Sequence, residues 1–298
     1  MKILITGADG QLGQALQLVL KGHTLVPAVW PAFDLLKPDA EPYVLTARPE
    51  VIVHAAAYTD VDGAEREPEK AMAVNAEGTE RVARAAAKTG ARLLYVSTDY
   101  VFDGRKGAPY VETDGPNPIN VYGRSKLEGE RRALALCPNT LIVRTSWLYG
   151  VNGKNFVRTI MQRATEQPLL RVVADQRGCP TYAADLARAL ARLLDLDLRG
   201  VAHAAGGGDC SWHEFACEIV SLMGLSVPVH PITSAEVGRP TRRPAYSVLA
   251  NRVLADAGMA LPHWKDALTR FMKEVHGSKF EVHQPRTSNF KPRTEPDR

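Results

Sequence analysis

The chain has 298 residues, 45% hydrophobic and 23% charged, with a formal net charge of +4. That is enough apolar material for one large core, or a core with a smaller lobe, yet no apolar run approaches the ~20 residues of a membrane span. The mild charge, with Lys and Arg interspersed among Asp and Glu, argues against nucleic acid and for a phosphorylated small molecule.

Lys2-Ile-Leu-Ile-Thr6 reads as a strand rather than a signal peptide, and a cytoplasmic protein is expected. Gly7-Ala-Asp-Gly10-Gln-Leu-Gly13 follows and opens an apolar-periodic helix to Leu20. Strand, glycine turn and helix in that order make a phosphate cradle. Gly7 gives the tight turn, Gly10 lets backbone approach a pyrophosphate, Gly13 lets the helix pack on the strand, and the helix N-terminus offers amide N-H groups. The spacing is G-x-x-G-x-x-G rather than the commoner G-x-G-x-x-G, and a plain strand-to-helix connection could look the same. Its place at the first strand favours a dinucleotide site.

A second strand reads as ending at Val29-Trp30-Pro31, without the Asp or Glu that bonds a ribose 2′-OH in NAD-binding folds. The next acid is Asp34, in Phe33-Asp-Leu35. A missing acid removes repulsion against a 2′-phosphate, so NADPH is slightly favoured with NADH as the other candidate, although no arginine takes the acid's place.

Val51-Ile-Val-His54 reads as a strand, followed by Ala55-Ala-Ala57 and a helical run from Ala64 to Lys88. Arg92 to Ser97 is another, ending in Ser97-Thr98-Asp99, and Tyr122-Gly-Arg-Ser-Lys126 opens the helix to Leu136. A tyrosine and a lysine four apart share one helix face. A phenol ordinarily titrates near 10, and a neighbouring ammonium is expected to lower that value toward the working range of a general acid. The spacing alone fits equally well a core tyrosine beside a snorkelling lysine. Leu141-Ile-Val-Arg144 is a further strand, followed by Thr145-Ser-Trp147 and a helix from Phe156 to Thr165.

This alternation predicts an α/β fold, a Rossmann-type doubly wound parallel sheet, with ligands at the carboxyl ends of the strands. Gly7, Ala55 to Ala57, Ser97-Thr98 and Thr145 to Trp147 all follow strand ends and should meet in one crevice. Beyond residue 150, Arg171 to Ala174 and Val201 to His203 read as further strands of that sheet, with a helix from Asp185 to Leu194 between them. Ser211-Trp-His-Glu214 is a capping box opening a helix to Met223, Gly238 to Pro244 reads as loop, and Trp264 to Val275 as a final helix. The expected division is a dinucleotide-binding domain of residues 1–148 and 171–204, a smaller substrate-binding lobe of 149–170 and 205–276, and a polar tail of 277–298. Cys137, Cys179, Cys210 and Cys217 form no C-x-x-C pair and no disulfide framework. The histidines show no metal-ligand spacing, so no structural zinc is expected and His54 is read as packing at a strand end.

Taken together these segments resemble the extended short-chain dehydrogenase/reductase superfamily, and within it the dTDP-4-dehydrorhamnose reductase family. The motifs are Gly7 to Gly13, His54-Ala-Ala-Ala-Tyr-Thr-Asp-Val61, Asn75, Ser97-Thr-Asp-Tyr-Val-Phe102 and Val121-Tyr-Gly-Arg-Ser-Lys126. Arg144-Thr-Ser-Trp147, Gly178-Cys-Pro-Thr181 and Arg243-Pro244 with Ser247 complete them. The resemblance implies an NADPH-dependent oxidoreductase that reduces the C4 ketone of dTDP-4-dehydro-6-deoxy-L-mannose to dTDP-L-rhamnose. Thr98, Tyr122 and Lys126 would be its catalytic residues: Tyr122 protonates the C4 oxygen, Lys126 holds the ribose, and Thr98 hydrogen-bonds the same oxygen.

The cofactor would lie on Gly7, Gly10, Gln11, Leu12, Gly13, Ala55, Ala56, Ala57, Tyr58, Tyr122 and Lys126, with Asp34 and Leu35 on the adenine side. Thr59, Val61, Thr98, Asp99, Tyr100 and Trp147 would surround the sugar. Asp99 could equally be a turn cap and Trp147 a core residue. Arg243 is a candidate for the diphosphate through bidentate hydrogen bonds, or a solvated charge. Family members can carry Mg²⁺ at a subunit contact, so Mg²⁺ and a homodimer are further implications of the resemblance. Two other readings stand beside this one: a non-catalytic NADP-binding regulatory subunit similar to the methionine adenosyltransferase β subunit, and a nucleotide-sugar epimerase or dehydratase that keeps its NAD bound.

Overall fold

The structure is a computed structural model and describes residues 1–277; the tail expectation for 278–298 lies outside the described residues. Six parallel strands form the central sheet. They are β1 (Lys2–Thr6), β2 (Thr24–Ala28), β3 (Val51–His54), β4 (Arg92–Thr98), β5 (Thr140–Thr145) and the strand Gly200–His203. From one edge to the other the order is Gly200–His203, β5, β4, β3, β1, β2. The chain therefore leaves β1 toward β2 and returns to β3 on the other side. That reversal opens a crevice at the carboxyl ends of β1 and β3, where doubly wound sheets bind their ligands.

The strands read as near-continuous apolar runs because helices cover both faces. Ile3, Ile5, Val53 and Leu94 face α1 (Gln11–Val19) and the helix Ala183–Leu193, packing with Leu16, Leu186 and Leu190. Leu4, Ile52, Leu93 and Tyr95 face the other layer, with Val82, Ala86 and Ala133 from the helices Thr79–Thr89 and Val121–Leu136. The doubly wound class expected from the alternation is the class observed.

Three local expectations are corrected. Arg171 to Ala174 does not join the central sheet: Leu170–Val173 pairs in parallel with Val229–Ile232, while Val201 to His203 does join, beside β5. A short apolar run carries no information about its partner strand. The run from Ala64 to Lys88 is not one helix but Val61–Arg66, Pro68–Met72, a π-helical turn Ala73–Gly78 and Thr79–Thr89. Pro68 at the first helical position starts a new segment. The second strand stops at Ala28, because the Phe33 amide donates to the Val29 carbonyl and closes a turn.

Beside the sheet lies a separate apolar core. Tyr149, Ile160, Phe215, Ile219, Trp264 and Phe271 pack together from the short strand Leu148–Tyr149 and the helices Phe156–Glu166, Trp212–Leu222 and Trp264–His276. The Ser211 and Glu214 capping box is formed as expected, with each side chain accepting from the other residue's amide.

Candidate active site

A cleft of about 780 Å³ runs over the carboxyl ends of the strands. At its centre is the turn between β1 and α1. Gly7 has φ +65°, and a Cβ there would stand 2.9 Å from the Ala56 backbone, so both conformation and space require glycine. At Gly13 a Cβ would fall 2.2 Å from the Gly7 carbonyl oxygen, which is the close helix-to-strand packing anticipated for it. Gly10 caps α1 without a side-chain hydrogen bond, and its open side meets only the Gly7 carbonyl, at 3.2 Å. The first amides of the helix thus stay uncovered by side chains, which suits a pyrophosphate.

The wall of this cleft contains Gly7, Gly10, Gln11, Leu12, Gly13, Asp34, Leu35, Ala55, Ala56, Ala57, Tyr58, Thr59, Thr98, Asp99, Tyr122, Lys126 and Trp147. The segments expected to converge do so. The loop after β3 is held by Asn75 in the π turn: its amide donates to the Tyr58 carbonyl (3.0 Å) and the Ser125 hydroxyl (2.9 Å), and its oxygen accepts from the Tyr58 amide (2.8 Å). A π turn is a frequent device for aiming such a side chain. His54 is buried between the Thr6 and Thr79 hydroxyls, at 2.6 and 3.0 Å. Burial, and then Lys126, push it down to about 3, so it is a neutral packing residue, as read from the sequence.

Asn120 caps the helix Val121–Leu136, its side chain accepting from the Gly123 amide at 2.8 Å, and this fixes Tyr122 in the first turn. Gly123 lies against the Tyr100 carbonyl, 2.1 Å from where a Cβ would be, so the helix seats tightly on the end of β4. Lys126 is buried at 2% exposure, donates to the Val96 carbonyl (2.8 Å) and lies 4.1 Å from the Tyr95 ring centre. Burial lowers Lys126 to about 7, partly opposed by Glu130. The Tyr122 phenol moves opposite to expectation: burial pushes it up to about 12, the Thr98 hydroxyl pulls it back in part, and Asp99 adds to the rise. Lys126 is not among the groups that set it: burial lowers Lys126 to about 7, so its ammonium has lost its charge before a phenol at about 12 titrates. The phenol is therefore a firmly protonated group at neutral pH.

Asp99 is not a turn cap. Its carboxylate, 2% exposed, accepts from the hydroxyls of Thr98 (3.1 Å), Ser146 (3.2 Å) and Ser247 (2.5 Å), which come from three separate segments. Burial raises it to about 6 against those hydrogen bonds. Between pH 4 and 6 the folded chain then holds a proton here that the unfolded chain has lost, so this group makes stability fall as pH rises through that window. Asp99→Asn, which carries no charge, should gain about 3 kcal/mol relative to the parent between pH 4 and 7, from a shift of about two pKa units. Urea unfolding of both proteins across that range checks it, and a constant difference would refute it.

A second cleft of about 900 Å³ is lined by Tyr100, Phe156 and Trp212 and by Arg163, Arg171, Arg239, Arg242 and Arg243. Trp147 is half-buried at φ +45°, and its indole stacks on Trp212 with ring centres 3.4 Å apart. The pair is the partition between the clefts, Trp147 on one side and Trp212 on the other. Arg243 is not a solvated charge: at 9% side-chain exposure it pairs with Asp62 at 2.9 Å and donates to the Thr241 carbonyl. Val61 lines neither cleft, standing at the start of its helix, and Tyr100 lines the second rather than the first. Sequence reasoning missed Arg163 and Arg171, which look like ordinary surface positions of a helix and a strand, and Lys154 in the first cleft. No local pattern marks them.

Among the described residues no group of three or more His, Cys, Asp or Glu could hold a metal ion, so the Mg²⁺ expectation finds no support there. Nor is any described helix long and apolar enough to cross a membrane.

Residues 1–276 match the family described as RmlD substrate binding domain. The chain is 41% identical over 286 residues to a dTDP-4-dehydrorhamnose reductase of Sinorhizobium fredii, covering 91% of this chain and 97% of that one. It is 44% identical over 277 residues to a dTDP-4-dehydrorhamnose reductase of Mycobacterium tuberculosis, covering 90% and 91%. Among solved structures, the dTDP-4-dehydrorhamnose reductase of Bacillus anthracis in complex with NADP superposes with a TM-score of 0.89 at 41% identity, over 92% of this chain and 99% of that one.

Proposed function

The chain belongs to the dTDP-4-dehydrorhamnose reductase family, and on that premise we propose that it reduces the C4 ketone of dTDP-4-dehydro-6-deoxy-L-mannose with NADPH, giving dTDP-L-rhamnose for surface polysaccharide. The observation that carries this reading is a single cleft with an uncapped glycine turn at its centre and Thr98, Tyr122 and Lys126 along its wall. Bound there, NADPH supplies the hydride. The chain's own residues handle the proton and the orientation.

Tyr122 Oη holds a proton that burial keeps in place through neutrality, and gives it to the C4 oxygen as negative charge develops there. Lys126 Nζ would hold the nicotinamide ribose, and the Thr98 hydroxyl aligns the phenol. Thr59 and Trp147 offer one hydroxyl and one indole face to the sugar. The arginines of the second cleft suit the diphosphate, since guanidinium pairs bidentately with phosphate oxygens, and Phe156 and Trp212 offer aromatic faces to the base. In this division the sheet half of the molecule takes the dinucleotide and the lobe takes the sugar nucleotide, in the cytoplasm.

Mixing the protein with NADPH and the ketosugar should deplete the nicotinamide absorbance band and accumulate free NADP⁺ in equal amount. An epimerase or dehydratase would retain its dinucleotide instead. No consumption with any 4-ketosugar would reject the reductase.

A further inference from the structure

The large apolar side chains left exposed among the described residues include Trp30, at 72%, and Leu36, at 44%, and both line the first cleft. A lone exposed tryptophan needs no explanation. One standing on the wall of a ligand cleft does, and its position says what it would meet. The Gly7 amide donates to the Ala28 carbonyl at 3.0 Å, so the glycine turn and the end of β2 lie side by side, with Trp30 two residues further on. Tyr122 and Lys126 stand at the other end, beside β4. Three strand spacings separate β2 from β4, about 14 Å at ~4.8 Å each, a span suited to an extended dinucleotide. With the reacting end fixed at Tyr122, the adenosine end comes to Trp30.

The loop after β2 puts no cation into the cleft wall to pair with a 2′-phosphate; its Lys37 is exposed and stands outside that wall. Its one acid in the cleft wall, Asp34, spends a carboxylate oxygen on the Leu36 amide at 3.0 Å. What the loop does offer is an indole face and an isobutyl group. We propose that Trp30, with Leu36 beside it, is the adenine platform of this cleft, and that dinucleotide binding here draws on stacking common to NADP and NAD rather than on a charge that tells them apart. This rests on the dinucleotide reading above and adds the residue that sets cofactor affinity and the breadth of cofactor choice.

The test uses ADP and 2′,5′-ADP, which carry only the adenosine half, with saturating dTDP present throughout to occupy the second cleft, whose wall includes Trp212. Both should quench the parent's tryptophan fluorescence, and Trp30→Phe should abolish the quench while keeping affinity within about threefold by calorimetry. Trp30→Ala should weaken NADP⁺ and NAD⁺ alike by about tenfold, within the usual worth of one base stacked on an aromatic ring, leaving their ratio unchanged. The proposal is overturned by Trp30→Ala affinities within twofold of the parent, by a quench that survives in Trp30→Phe, or by loss of NADP⁺ alone. A parent protein that binds neither dinucleotide would sink the reading on which this one rests.

Discussion

Tyr122→Phe should lower turnover by about 10³-fold, the middle of the range for one positioned general acid, while the dissociation constant for NADPH stays within about twofold. The hydroxyl is removed without changing the ring that packs edge-on to Tyr100 at 5.8 Å, so the fold and the cofactor cleft are undisturbed. The parent phenol sits at about 12, well above neutrality. Its proton is thus present at the start of every cycle, and hydride transfer to a ketone without a donor would leave an unneutralised alkoxide. Steady-state rates at saturating substrate, with a fluorescence titration of NADPH alongside, separate the two quantities. A fall of less than about fivefold would assign the proton to another group.

The second large effect is on stability. Glu130 and Arg144 are 3% and 4% exposed, and Arg144 grips the carboxylate through Nε and Nη2 at 3.0 and 2.7 Å, with the Ser97 hydroxyl donating to the same group. The guanidinium also lies 5.2 Å from the Phe102 ring centre. Glu130→Ala leaves that guanidinium buried without its counter-charge, which should cost about 3–5 kcal/mol of folding free energy. Replacing both partners together, Glu130→Leu with Arg144→Met, removes the orphaned charge and should recover most of the loss. Urea midpoints of the single and double variants decide the point, and a single-variant loss under about 1 kcal/mol would contradict it. A site effect follows as well: the Glu130 charge opposes the lowering of Lys126, so the single variant should hold Lys126 deprotonated at a lower pH than the parent.

The pair also shows where sequence reading stops. Glu130 and Arg144 lie on a helix and a strand whose local patterns give no hint of mutual contact. Burial of both followed from the way helix and sheet close on one another. The expected lowering of the Tyr122 phenol by Lys126 failed for the same reason. Spacing on a helix puts two side chains on one face, but the burial that lowers Lys126 to about 7 and raises Tyr122 to about 12 is imposed by other elements packed over them.

What the linear chain determined was everything carried by local chemistry. Alternating apolar runs and helical periods fixed the α/β class, the glycines at 7 and 13 marked a turn where only a missing Cβ fits, and Ser211 with Glu214 announced their capping box. The tertiary structure alone decided the rest. It sent Leu170–Val173 to Val229–Ile232 rather than to the central sheet, gathered five arginines from scattered positions into a second cleft, and closed Asp99 inside three hydroxyls. Each of these depends on which distant segments become neighbours, and a residue's own period and propensity are blind to the partner that burial will give it.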